Sequence, residues 1–287
     1  AWFTPTSADR HWFSTPHIRK TYMRPLVFIT GASSGIGQAL ALRYHQAGWR
    51  LALVARRVAD MQAWLNDQGI SAEEARCYGA DVSDANSIID AAKACLAAQG
   101  VPTVVIANAG ISIGMDTRIR EDLDVLSQVM TTNVVGMAAT FHPFIEAMKT
   151  RAQTQGAASA GALVGIASVA GIRGMPGHAA YCASKAAAIS YCESLRGELK
   201  PEGFRVVTLA PGYIKTPLTS KNRFPMPFLM SADDFAHQAY QAIEQGSSFK
   251  VIPTPMAWAA RLLRILPDAL FDRAFKNQPR KHRAHEH

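Results

Sequence analysis

Short runs of consecutive apolar residues alternate along the chain with longer stretches whose apolar residues recur every three or four positions. The short runs lie at 25–30, 51–55, 103–107, 162–167, 205–210 and 249–253, with a weaker one at 75–80. Each is too short for a stable helix and lacks the alternation of a strand with one wet face. They read as strands buried on both sides. The stretches between them, at 36–48, 58–68, 84–98, 121–131, 133–150, 179–199 and 232–245, have helical spacing. In the first of these, Ile36, Leu40 and Tyr44 stand four residues apart. Strands covered on both faces and separated by helices predict an α/β protein, a doubly wound parallel sheet of about seven strands with right-handed crossovers. Neither a linker nor an internal repeat interrupts 23–253, which is read as one domain. Residues 1–22 form an N-terminal tail without apolar period. Residues 254–287 form a C-terminal segment, amphipathic over 256–275, with a basic end. Pro267 marks a break or a fresh helix start within it.

Composition narrows the function. The chain has 287 residues, of which 48% are hydrophobic and 18% charged, enough to build a core and too apolar for a disordered chain. The net charge is +8, but residues 1–24 and 276–287 contribute +3 each, so the body carries only +2. Without zinc-finger spacing or an RNA-binding aromatic signature, nucleic acid is not an expected partner. The basic ends are read as solvated tails. The four cysteines have no CxxC spacing, which fits a reducing compartment and gives neither a disulfide framework nor a metal site. A cytoplasmic location is expected, with 256–275 a candidate for peripheral contact with a membrane. No run of about 18 apolar residues is present.

The first strand–helix junction holds Thr30-Gly31-Ala32-Ser33-Ser34-Gly35-Ile36-Gly37. Glycines there let a pyrophosphate approach the backbone, and the helix N-terminus offers unpaired N–H groups. The second strand ends in Arg56 and Arg57, where a chain that holds a free ribose would place an acid. A guanidinium binds a 2′-phosphate and a carboxylate repels it, so NADP(H) is the expected cofactor. Tyr181 and Lys185 stand four apart, on one face of the long helix at 179–199. An ammonium near a phenol favours the phenolate and lowers its pKa. Such a pair suits proton transfer to and from a carbonyl oxygen. Ser168, at the end of the fifth strand, adds a hydroxyl able to donate to that oxygen.

With its Gly-x3-Gly-x-Gly turn, its Asn108-Ala109-Gly110 and its Tyr-x3-Lys in order, the chain resembles the short-chain dehydrogenase/reductase family over about residues 25–253. The resemblance implies a Rossmann-type fold and a catalytic set of Asn133, Ser168, Tyr181 and Lys185. Asn133 would hold a helix kink and a proton relay, and Lys185 would also bind the cofactor ribose. It further implies cofactor contacts from Gly31, Ser33, Ser34, Gly35, Ile36 and Gly37, and from Arg56 and Arg57. Asp81 and Val82 would meet the adenine; Asn108, Ala109 and Gly110 would pass beside the cofactor. The loop after the sixth strand would cover the nicotinamide with Pro211, Gly212, Ile214 and Thr216. Ala107 replaces the first Asn of the family's Asn-Asn-Ala-Gly. The interval from Asn133 to Ser168 is longer than usual, with the excess assigned to a loop at 152–161. The implied activity is NADP(H)-dependent interconversion of a ketone or aldehyde and an alcohol, on an apolar substrate, in a homodimer or homotetramer paired through the helices beginning near 133 and 179. Two alternatives stand beside it: a reductase of 3-oxoacyl or other lipid ketones at a membrane surface, and a non-catalytic dinucleotide-binding sensor. The apolar, proline-rich stretch 224–230 is a candidate lid over the substrate.

Overall fold

In a computed structural model the described residues are 24–156, 159–220, 222, 225–276 and 281–283. Seven strands form one parallel sheet in the order β3-β2-β1-β4-β5-β6-β7. They are β1 (Leu26–Thr30), β2 (Arg50–Ala55), β3 (Ala75–Gly79), β4 (Val104–Ala107), β5 (Gly161–Ile166), β6 (Phe204–Pro211) and β7 (Phe249–Ile252). The helices are α1 (Gly35–Gln46), α2 (Val58–Asp67), α3 (Ala85–Gln99), α4 (Asp122–Met130), α5 (Gly136–Gln155), α6 (Ala179–Leu199), α7 (Ala232–Glu244), α8 (Thr254–Ile265) and α9 (Asp268–Phe275). All seven sequence-predicted strands and the helices between them are present, with ends displaced by a residue or two except in α5. The N-terminal tail 1–22 and Phe224 of the predicted lid lie outside the described residues.

The period of two within each strand builds two cores. Val27 and Ile29 of β1 face one side, against Leu40 and Tyr44 of α1 and Phe235 and Ile243 of α7. Leu26 and Phe28 face the other, against Ile88 of α3, Phe141 and Phe144 of α5 and Cys192 of α6. The central strands therefore carry no polar face, which is why they read as unbroken apolar runs.

Strand order reverses between β1 and β4, and a crevice opens there beyond the strand C-termini, the usual ligand position in open α/β sheets. Two departures from the expected outline matter. The stretch predicted as a helix from 133 begins instead as a π-helical turn, Thr131–Val135, between α4 and α5. And α5 continues to Gln155, so part of the extra length before Ser168 is helix, not the loop at 152–161. Its end is set by Gly156, which adopts a left-handed φ of 62°.

Candidate active site

The turn after β1 is built by close backbone approach. A Cβ on Gly37 would stand 2.2 Å from the Gly31 carbonyl oxygen, and one on Gly31 would stand 2.8 Å from the Ala109 Cα. The Asn108 amide locks this packing by donating to the Thr30 and Gly31 carbonyls at 2.9 and 3.2 Å. The Thr30 hydroxyl accepts from the Asn108 and Ala109 amides at 3.1 and 3.2 Å. The loops after β1 and β4 thus form one rigid cradle at the switch point.

A cleft of about 780 Å³ runs over this cradle. It is lined by the predicted Gly31, Ser33, Ser34, Gly35 and Ile36, by Arg56 and Arg57, by Asp81 and Val82, and by Asn108, Ala109 and Gly110. Tyr181, Lys185, Pro211 and Thr216 complete the predicted lining. Three predicted contacts lie elsewhere. Gly37 packs under the turn instead of facing the cleft, because its task is to admit the Gly31 carbonyl. Ile214 is 2% exposed, and its segment is bridged to Met230. Gly212 opens on a second, apolar pocket. Sequence reasoning missed Ser112, Thr132 and Leu218, which line the cleft from loops and a π-turn without any spacing signal.

At the cleft's far end the two arginines divide their contacts. Arg56 sits 3.6 Å from Asp81, and Arg57 reaches the Ser33 hydroxyl at 3.4 Å. Ser33 therefore stands beside Arg57. Hydrogen bonds from the Ser83 amide and hydroxyl, with Arg56 adding its charge, hold the Asp81 carboxyl below its usual range.

Tyr181 opens α6 at the junction of the cleft and the second pocket, and it lines both. One turn later, Lys185 is 4% exposed. Its ammonium donates to the Ile166 carbonyl at 2.8 Å and lies 5.8 Å from the Tyr181 ring centre. Dense surroundings push the phenol of Tyr181 up and pull Lys185 down to about 8. A hydrogen bond with Ser168 opposes the rise at Tyr181. Burial is the largest influence on both groups, and the Lys185 ammonium is turned to a backbone carbonyl. Ser168 is 6% exposed and its hydroxyl also accepts from the Ala170 amide at 3.1 Å.

Asn133 does not touch the cleft. It is 1% exposed in the π-turn, where its Oδ1 accepts from the Ile111 amide at 2.8 Å. Its Nδ2 donates to the Ile111 carbonyl and the Ser184 hydroxyl, each at 2.9 Å. It ties the β4 loop to α6 and holds the lining of the cleft in place.

The second pocket, about 370 Å³, is walled by Ser168 and Tyr181 on one side and by the C-terminal helices on the other. Pro225, Pro227 and Phe228 of the predicted lid border it, as do Met256, Leu263 and Phe271. Arg173 bolts these helices down. Its guanidinium donates to the Leu263 and Leu266 carbonyls, pairs with Asp268 at 2.8 Å and stacks 4.1 Å over the Phe271 ring.

For residues 281–283 the expectation of a solvated basic end is corrected; 277–280 and 284–287 lie outside the described residues. His282 accepts from the Gly114 amide at 2.9 Å, and Arg283 bridges to Gly114 and lies 3.6 Å from the buried carboxylate of Asp122. Positive charge at 281–283 therefore meets specific partners.

Comparison with known proteins agrees with this fold. The family described as short chain dehydrogenase matches residues 25–226. An uncharacterized oxidoreductase of Myxococcus xanthus is 36% identical over 246 residues, 86% of this chain and 94% of that protein. A sulfoacetaldehyde reductase of Chromohalobacter salexigens is 29% identical over 83% of this chain and 97% of its own length. Among solved structures, a 3-ketoacyl-(acyl-carrier-protein) reductase from Brucella melitensis complexed with NADH superimposes with a TM-score of 0.70 at 26% identity, covering 79% of this chain and 94% of that one.

Proposed function

The chain belongs to the short-chain dehydrogenase family and is an oxidoreductase, and we propose that it reduces an apolar ketone or aldehyde to the alcohol with NADPH. The observation that carries this reading is the position of Tyr181, with one face on the dinucleotide cleft and the other on the apolar pocket. The glycine cradle fits a pyrophosphate, since Cβ atoms at Gly31 and Gly37 would collide with the backbone that shapes it. Arg57 and Ser33, with Arg56 beside them, suit a 2′-phosphate by charge and donor count. Bound there, the nicotinamide supplies the hydride for the carbonyl carbon.

The remaining work falls to side chains. Ser168 orients the carbonyl and donates to its oxygen as charge develops. Tyr181, its phenol protonated at neutral pH, delivers the proton to that oxygen. Lys185 holds a positive charge under the cleft floor and is placed to bind the cofactor ribose. Asn133 positions the Ile111 backbone and Ser184, and through them the floor of the relay. A sulfoacetaldehyde reductase among the relatives supports a carbonyl substrate.

A second reading, a lipid-ketone reductase working at a membrane surface, is favoured by one observation. Trp258, Leu262 and Ile265 form an exposed stripe on α8, at 67%, 62% and 77% exposure. Pairing of subunits through the outer faces of α5 and α6 belongs to either reading.

Oxidation of NADPH and NADH over a panel of short, aromatic and long-chain ketones and aldehydes tests the proposal. Turnover with NADPH is expected, and Arg57→Ala or Arg56→Ala raises KM for NADPH about tenfold or more while leaving that for NADH within about threefold. Equal effects on both nucleotides reject the phosphate assignment, and no turnover with any carbonyl rejects the enzyme.

A further inference from the structure

The substrate pocket is greasy but holds one feature that an apolar ligand does not need. Lys281 lines it, together with Ser168 and Tyr181. Its ammonium donates to the Ser112 hydroxyl at 2.8 Å, and Ser112 borders both the pocket and the cofactor cleft. No carboxylate lines the pocket among the described residues. The other cationic or titratable groups there are already committed. Arg173 is spent on the Leu263 and Leu266 carbonyls and on Asp268. His178 holds its Nδ1 3.0 Å from the Pro176 carbonyl, and burial, with the charge of Lys281 nearby, keeps its pKa below the ordinary histidine value.

The backbone that carries Lys281 is fixed on the loop after β4. The Gly114 amide donates to the His282 carbonyl, and a Cβ at Gly114 would stand 2.2 Å from the Lys281 carbonyl oxygen. Arg283 is drawn to Asp122, which is 1% exposed and also accepts from the Asp116 amide at 2.7 Å. Two anchors immediately after Lys281 therefore set its direction. A lysine at the end of a free tail would keep its ammonium in water. Here the ammonium's partner among the described residues is a neutral hydroxyl, while its neighbour Arg283 lies against the Asp122 carboxylate.

We propose that Lys281 is the anion-binding residue of the substrate site, and that the natural substrate is an apolar carbonyl compound carrying a carboxylate remote from the carbonyl. The inference rests on the carbonyl-reductase reading for its reaction, but the anion site exists independently of turnover. A carboxylate beside Lys281 adds a charge-assisted hydrogen bond to a partly buried cation that already holds the Ser112 hydroxyl. The apolar body of the ligand fills the space between Phe271, Leu263 and the Pro225–Pro227 segment. The carbonyl meets Ser168 and Tyr181 at the other end.

Calorimetric titration of the NADPH-loaded protein with decanoate and with decanamide reads the site without chemistry. Decanoate is expected to bind at least tenfold more tightly than decanamide, with Lys281→Met removing the preference and Lys281→Arg retaining it. Gly114→Val, which displaces the strap while leaving Lys281 in the chain, is expected to remove the preference as well. Equal binding of acid and amide by the unaltered protein, binding of neither, or a preference that survives Lys281→Met overturns the proposal. Carbonyl turnover that depends on Tyr181 but shows no acid preference would leave the reductase standing and refute the anion site alone.

Discussion

Tyr181 and Lys185 illustrate how far single residues are legible. Their identity and spacing announce a proton-transfer pair, and α6 does place them on one face. What spacing cannot show is the surrounding density, which decides the pKa values. Lys185 is nearly closed off from water and its pKa falls to about 8, against an ordinary 10.5. In the unfolded chain the proton is held to the ordinary value, so from about pH 8 to 10.5 unfolding takes up a proton and stability rises with pH. Thermal denaturation of the cofactor-free protein is expected to show wild type gaining on Lys185→Met over that window, since the variant lacks this titration. Parallel stability curves for the two proteins would contradict the burial of a charged Lys185. The arginines teach a related lesson. Strand two visibly ends without an acid, yet which guanidinium meets Ser33 depends on backbone direction at Arg57, which starts α2, and no pattern in the sequence sets that.

Elements were readable where hydrophobic period was strong and unreadable where a side chain overrides it. The five central strands stood out because both faces of each are buried, whereas the edge strands β3 and β7 are half exposed. The π-turn Thr131–Val135 did not, since its residues have ordinary helical character and the turn exists to present Asn133. The side chain supplies three hydrogen bonds to groups outside its own helix, two of them to the backbone of Ile111. Removing it leaves a part-buried amide and carbonyl without partners, at roughly 1–3 kcal/mol apiece. Asn133→Ala is expected to lower the unfolding free energy by about 2–4 kcal/mol in denaturant titration. A loss below about 0.5 kcal/mol would show that the β4 loop does not depend on this tie. The glycine turn, in contrast, was legible as a turn, but its division of labour was not. Gly31 faces the cleft, and Gly37 makes room for it from below.

At the scale of the whole molecule, the sheet places the cleft and the C-terminal segment shapes what the cleft receives. The amphipathic reading of 256–275 left Pro267 as a break or a fresh helix start; a second helix does start after it, and Met256, Ala260 and Phe271 are buried on the inner face. It did not foresee that Arg173, 90 or more residues earlier, would hold them, because long-range pairing of this kind leaves no local trace. The exposed stripe of Trp258, Leu262 and Ile265, next to Arg261, leaves α8 apolar on its outer side as well. Among the described residues no helix is long and apolar enough to cross a membrane. Flotation with anionic liposomes is expected to carry the wild-type protein upward and to leave Trp258→Glu with Ile265→Glu at the bottom of the gradient; identical profiles would assign the stripe to another partner. The central claim is that the Tyr181 phenol protonates the carbonyl oxygen in a cleft that binds NADPH without it. Parallel measurement of kcat and of NADPH dissociation for Tyr181→Phe addresses this most directly. The account predicts that kcat falls by about a thousandfold while the NADPH dissociation constant stays within about threefold. A variant that turns over at near wild-type rate would contradict it.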